Sequence, residues 1–154
     1  NMRRLVIYAD GAARGNPGPA GIGVVIEDER GRVLKELSQF VGRKTNNQAE
    51  YMALIQGLQV AAEYQADAIQ VRLDSELLVR QLKGEYKVKS PLLKPLRNKV
   101  QKLLAGYKVV NIEHIERQYN RAADRLANRA IDAASSGELA GSTGDNQQLS
   151  LWDQ

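Results

Sequence analysis

Arg4-Leu5-Val6-Ile7-Tyr8-Ala9-Asp10-Gly11 opens the chain with an apolar run that stops on an acid. Residues 4–9 read as a buried strand, because β-branched and aromatic side chains dominate the run. Asp10 then falls at its expected end. Residues 10–23 hold Gly11, Gly15, Pro17, Gly18, Pro19 and Gly21, and read as one long Gly/Pro-rich turn. Proline opposes helix there, and glycine permits tight reversals. Two more strands are expected over 22–27 and 33–41, joined by the hairpin signal Asp28-Glu29-Arg30-Gly31. Three strands in succession predict antiparallel neighbours.

Beyond them the period changes. Tyr51, Leu54, Leu58 and Ala61 recur at three- and four-residue steps, which predicts a helix over 46–64. Asn46 or Asn47 is its expected cap, with Glu50 in the place of a capping-box acid. Residues 68–74 alternate as a strand ending on Asp74, and 75–83 read as a short helix with Ser75 as cap. A basic helix is expected over 90–104, with Ser90 as cap and Pro91 at its first position. A strand over 108–115 and a helix over 120–134 complete the pattern. The fold class is therefore α/β, with helices flanking a five-stranded mixed sheet: three antiparallel meander strands, then two parallel strands. Residues 1–134 form the expected domain. Residues 135–147, rich in Ser, Gly and Asn, read as a flexible linker. Residues 148–154 return to apolar character as Gln148-Leu149-Ser150-Leu151-Trp152.

Composition narrows the chemistry. The 154 residues contain no Cys and one His, so disulfides, zinc thiolates and thiol nucleophiles are excluded. No apolar run approaches the roughly 20 residues of a membrane span. A cytoplasmic, monomeric protein with no membrane contact is expected. Between Arg80 and Lys108 nine bases face Glu85 alone, which suggests a polyanionic partner; a solvated helix face is the plainer alternative.

Asp10, Glu50, Asp74 and Asp124 all lie at expected strand ends or first helical turns, where side chains can converge on one edge of a sheet. Singly, each has an ordinary explanation as turn residue, capping-box member, cap or partner of a helix dipole. Together, without Cys and nearly without His, they form a donor set for a hard cation such as Mg²⁺. Two such ions held by carboxylates can split a phosphodiester.

The contexts of these acids carry a resemblance. Tyr8-Ala9-Asp10-Gly11 through Asn16-Pro17-Gly18-Pro19-Ala20-Gly21 resembles the opening signature of type 1 ribonuclease H. Thr45-Asn46-Asn47-Gln48-Ala49-Glu50, Leu73-Asp74-Ser75-Glu76 and Asn120-Arg121-Ala122-Ala123-Asp124-Arg125-Leu126-Ala127 resemble its next three motifs, in order and spacing. The resemblance spans about residues 4–132. It implies a ribonuclease H-like fold and endonucleolytic hydrolysis of the RNA strand of an RNA/DNA hybrid, leaving 3′-hydroxyl and 5′-phosphate ends. Asp10, Glu50, Asp74 and Asp124 would hold two Mg²⁺ ions, with Mn²⁺ able to substitute. Gly11, Asn16, Asn46, Asn47 and Gln48 would meet the minor groove, where only RNA presents 2′-hydroxyls. Thr45 and the basic 87–102 region would contact phosphates, which position a duplex without reading its sequence.

Departures from the family pattern are visible. Many members carry a loop His near the fourth acid. Here His114 falls inside an expected strand and the connection to Asn120 is short, as in a branch where an Arg such as Arg117 stands nearby. His114, Arg117 and Asn120 are auxiliary candidates, and a structural His114 is the plainer reading. Glu76 replaces the amide-bearing residue often found two after the third acid, and the extra basic loop-helix of some members is absent between Gly84 and Ser90. The tail residues Gln148, Leu149, Leu151 and Trp152 resemble a peptide that binds the bacterial sliding clamp; their alternative is to fold back on the enzyme. Rival readings are another acid-clustered nuclease of this fold, a non-catalytic hybrid-binding module, and a clamp adaptor.

Overall fold

The computed structural model describes residues 2–137. Strands β1 (Arg4–Ala13), β2 (Gly18–Asp28) and β3 (Val33–Lys44) form the antiparallel meander. Strand β4 (Ala68–Leu73) runs parallel to β1, and β5 (Val109–His114) runs parallel to β4. The sheet order is β3-β2-β1-β4-β5, the expected three-then-two arrangement.

The meander strands are longer than their apolar pattern. What reads as a turn over 10–23 is mostly paired backbone: Gly11 faces Ile22, Ala12 faces Gly21 and Ala13 faces Ala20. Only residues 14–17 leave the ladder, closed by Arg14 N–H donating to Pro19 O at 2.9 Å. Small residues here serve packing, since a helix lies against each face of this part of the sheet. On β3 a bulge opposite Ala20 and Gly21 is relieved by Gly42, whose φ of 80° suits glycine.

Helix α1 (Asn46–Ala61) continues into one tighter turn over Ala62–Tyr64. Its cap is Thr45, not Asn46 or Asn47. The Thr45 hydroxyl accepts from Gln48 N at 3.1 Å, and Gln48 Oε1 accepts from Thr45 N at 2.9 Å. Gln48 thus completes the capping box, and Glu50 is free for other work. Helix α1 seals one face of the sheet. Leu5, Ile7, Ile22, Val24, Ile26, Ile69 and Val71 meet Met52, Leu54, Ile55 and Leu58 in one buried core. Each such side chain contributes about 1.5–3 kcal/mol on burial.

Helix α2 (Glu76–Leu82) starts on Ser75, whose hydroxyl accepts from Leu78 N at 3.2 Å. Buried Tyr51 ties it to α1 by donating its hydroxyl to Gln81 Oε1 at 2.7 Å. Helix α3 (Lys94–Leu104) packs behind α1 and begins later than expected. A helix from Pro91 would drive the Pro95 ring into the carbonyl four residues back. Pro95 therefore sits in the first turn, while Ser90 anchors a separate turn through Leu92 N at 3.2 Å. Val100 and Leu104 face inward, and Lys94, Lys99 and Lys102 are exposed. Helix α4 (Arg121–Ser135) covers the other face across β2 and β3, one residue beyond the expected domain limit. Among the described residues no helix is long and apolar enough to cross a membrane.

Candidate active site

Asp10 lies within β1 rather than at its end. The parallel register pairs Ala9 with Leu73, where β4 stops, so β1 runs on past its neighbour with Asp10 abreast of Asp74. Two helices are brought to this point by glycines. On the α4 face, Asp10 is paired with Gly23. A Cβ there would stand 1.9 Å from Ala123 O and 2.7 Å from Ala127 N, so α4 rests directly on this glycine and delivers Asp124. On the opposite face, a Cβ on Gly11 would stand 2.2 Å from the Ala49 carbonyl carbon and 2.4 Å from Glu50 N. The first turn of α1 lies there and brings Glu50. Gly11, expected to touch substrate, is required here for close backbone approach; Gly23 was not anticipated at all.

The electrostatics record how close the four acids are. Asp10 is 9% exposed, and its pKa is pushed up to about 9. Burial is the largest cause, followed by the charge of Asp74, a hydrogen bond and the charge of Asp124, and the charge of Glu50. Burial also pushes Glu50 up to about 7, with Asp74 adding to it; hydrogen bonds from Ser75 and Asn46, and the charge of Arg117, oppose the rise.

Three of the acids have an amide donor. Asn46 Nδ2 donates to Glu50 Oε1 at 2.9 Å. Asn120 Nδ2 donates to Asp74 Oδ2 at 2.9 Å and to Ala9 O at 3.1 Å. Asn128 Nδ2 donates to Asp124 Oδ1 at 3.2 Å and to Asp124 O at 3.0 Å. Asn120 is 1% exposed. It stands where the cap of α4 would be, yet its side chain makes no cap and instead ties β1 to the residue after β4.

A cluster of this kind is neutralised either by a proton on one carboxyl or by a divalent cation. The all-oxygen donor set suits Mg²⁺ or Mn²⁺. Among the described residues no three such side chains already stand in coordinating geometry. The fit is therefore one of donor chemistry and charge, with side-chain rotation needed to close on an ion.

Asn16 Oδ1 accepts from Asn46 N at 3.0 Å, tying the first turn to the start of α1. Thr45 and Gln48 are engaged in the capping box, and exposed Asn47 borders a hollow with Glu50, Tyr51 and Ser75. Arg117 is close enough to Glu50 to hold its pKa down. His114 ends β5, exposed, in a separate hollow with Tyr8, Arg72 and Tyr119. Gln148, Leu149, Leu151 and Trp152 lie outside the described residues. Besides Gly23, Ser75 and Asn128 join the site without having been singled out for it. Asn128 had a signal, the four-residue step from Asp124 along one helix face.

A family model described as reverse transcriptase-like matches residues 8–130. Ribonuclease HI of Halobacterium salinarum is 44% identical over 131 residues, covering 85% of this chain and 66% of that protein. Ribonuclease H of Prosthecochloris aestuarii is 32% identical over 144 residues, covering 84% of this chain and 96% of that one. The solved structure of LC11-RNase H1 in complex with RNA/DNA hybrid is 48% identical, with a TM-score of 0.80 over 84% of this chain and 98% of that chain. The chain spans about two thirds of the halobacterial relative, and only 38% of a Mycobacterium tuberculosis relative described as bifunctional. With the five-stranded fold and four motifs in place, these likenesses make the chain a member of the ribonuclease H family.

Proposed function

We propose that the chain hydrolyses the RNA strand of RNA/DNA hybrids endonucleolytically, with little sequence preference, leaving 3′-hydroxyl and 5′-phosphate ends. The observation that carries this reading is the meeting of Asp10, Glu50, Asp74 and Asp124 around one buried carboxyl. It is supported by LC11-RNase H1, 48% identical, which is known in complex with such a hybrid.

Asp10, Glu50, Asp74 and Asp124 would hold two Mg²⁺ ions, or Mn²⁺ in their place. When bound, divalent ions supply Lewis acidity for the attacking water and the leaving oxygen. The chain's own part is to place these carboxylates. Asn46, Asn120 and Asn128 fix three of them by amide donation. Asn16 and Asn47 lie near the same end of α1 and present amides able to donate and accept, which suits 2′-hydroxyl contact. Thr45 and the exposed lysines of α3 supply phosphate contacts. The reading extends to a monomeric, cytoplasmic enzyme of DNA replication, with Gln148, Leu149, Leu151 and Trp152 docking on a bacterial sliding clamp.

The deciding experiment is cleavage of an end-labelled RNA/DNA hybrid with Mg²⁺, beside single-stranded RNA, duplex RNA and duplex DNA. Hybrid-only cutting that disappears with Asp10→Asn or with chelator is expected. Cutting of DNA, or none of the hybrid, overturns the substrate assignment.

A further inference from the structure

Arg14 belongs to the first motif but has no part in the site described so far. It stands on the turn between β1 and β2, yet its guanidinium crosses to α4. Nη2 donates to Asn128 Oδ1 at 3.2 Å and to Asn128 O at 3.5 Å, and pairs with Asp132 at 2.7 Å. Asn128 in turn donates to the Asp124 carboxylate at 3.2 Å. Asp124, Asn128 and Asp132 follow at four-residue steps and share a face of α4.

The chemistry of the middle residue gives this chain a direction. An Asn side chain has a donating end and an accepting end, and rotation by half a turn exchanges them. Arginine only donates. Arg14 therefore holds the oxygen of Asn128 toward itself and leaves the NH₂ end facing Asp124. Released from Arg14, the amide loses the anchor on its oxygen side, and its NH₂ end is no longer held in one place against the Asp124 carboxylate. The Arg14–Asp132 pair is exposed and adds little to stability, so its effect is geometric.

We infer that Arg14 and Asn128 are positioning residues that keep the Asp124 carboxylate turned toward Asp10, ready to receive a divalent cation. This rests on the proposed metal-dependent hydrolysis. Groups that orient metal ligands typically change metal affinity or activity about 10- to 100-fold when removed.

The test compares the full chain with Arg14→Ala, Asn128→Leu and the double variant. Mn²⁺ binding is read by calorimetry on substrate-free protein, beside kcat and KM on the hybrid. Each single variant is expected to weaken Mn²⁺ binding and lower kcat by about tenfold or more, with KM for the hybrid unchanged. The double variant is expected to match the weaker single one, because both act through one amide. Arg14 is exposed on a turn, so Arg14→Ala keeps the fold and tests the relay even if Asn128→Leu unfolds. Unchanged Mn²⁺ affinity in Arg14→Ala, or a raised KM with affinity intact, refutes the relay and leaves the hydrolytic reading standing. A wild-type chain that neither binds Mn²⁺ nor cuts the hybrid removes the reading itself, and this inference with it.

Discussion

Replacing Asp10 by Asn is expected to make the cation-free protein more stable. The folded chain raises this carboxyl from 3.8 to about 9, chiefly by burial and then by the charge of Asp74. A group whose pKa is raised by folding stabilises the fold below its unfolded value, and that contribution fades as pH climbs to the folded value. The window for Asp10 is therefore about pH 4 to 9. At about pH 7.5 the unfolded chain gains from ionising and the folded chain does not. At about 1.36 kcal/mol for each pH unit above 3.8, that difference is at most about 5 kcal/mol. Asn has nearly the same shape and no charge to bury, so Asp10→Asn recovers part of it. For chains of this size one kcal/mol moves Tm by about 2–4 °C, which sets a ceiling of about 10–20 °C. Thermal melts in chelator across pH 4 to 9 read the effect directly. The variant should melt at least about 5 °C above the wild type near pH 7.5, and the gap should close toward pH 4. Saturating Mg²⁺ should stabilise the wild type more than the variant. Coincident melts over the whole range, or a wild type more stable than the variant at pH 8 in chelator, would refute the account of the cluster.

Other outcomes follow from the same geometry. Gly23→Ala places a Cβ where the Ala123 carbonyl stands; it should cost about 1–3 kcal/mol in denaturant melts and depress hybrid cleavage by displacing Asp124. Tyr51→Phe leaves buried Gln81 without its donor and should cost about 1–3 kcal/mol, with cleavage barely altered. Mg²⁺ affinity should rise with pH between about 6 and 9, because Asp10 and Glu50 shed protons to bind it; calorimetry in buffers of different ionisation heat counts those protons. On the proposed clamp reading, the full chain should bind an isolated sliding clamp and truncation after Gly137 should abolish that binding while leaving hybrid cleavage intact; equal clamp binding by both chains, or none by the full chain, would refute it.

The four acids of the candidate site were legible because each stands in a distinctive context of neighbours, and the structure brings them together. The sheet was legible because its strands differ in period from its helices. The errors have local causes. A capping box can be closed by Gln as well as Glu, so Gln48 took the part given to Glu50. Two prolines four apart cannot both lie inside a helix, which moved the start of α3 to Lys94. The stretch over 10–23 holds enough Gly and Pro to imitate a turn, and nothing in it shows that a helix will press on each face.

That last point bears on how the site is made. An acid can be recognised by its charge, but convergence depends on residues that have no side chain. Asp10 is flanked by Gly11 in its own strand and faced by Gly23 in the next, and these glycines open opposite faces of the sheet. One admits the backbone of α1 at Ala49 and Glu50; the other admits the backbone of α4 at Ala123. A methyl group at either position would hold a helix off and carry Glu50 or Asp124 away from Asp10. Burial is the larger cause of the raised Asp10 pKa, but carboxylates moved apart would lose the mutual repulsion that adds to it, so part of the rise depends on the closeness the glycines allow. If the packing argument is right, Gly23→Ala should lower the Asp10 pKa as well as the activity. NMR titration of that carboxyl separates this from simple loss of stability, since a variant merely less stable would keep the carboxyl where it was.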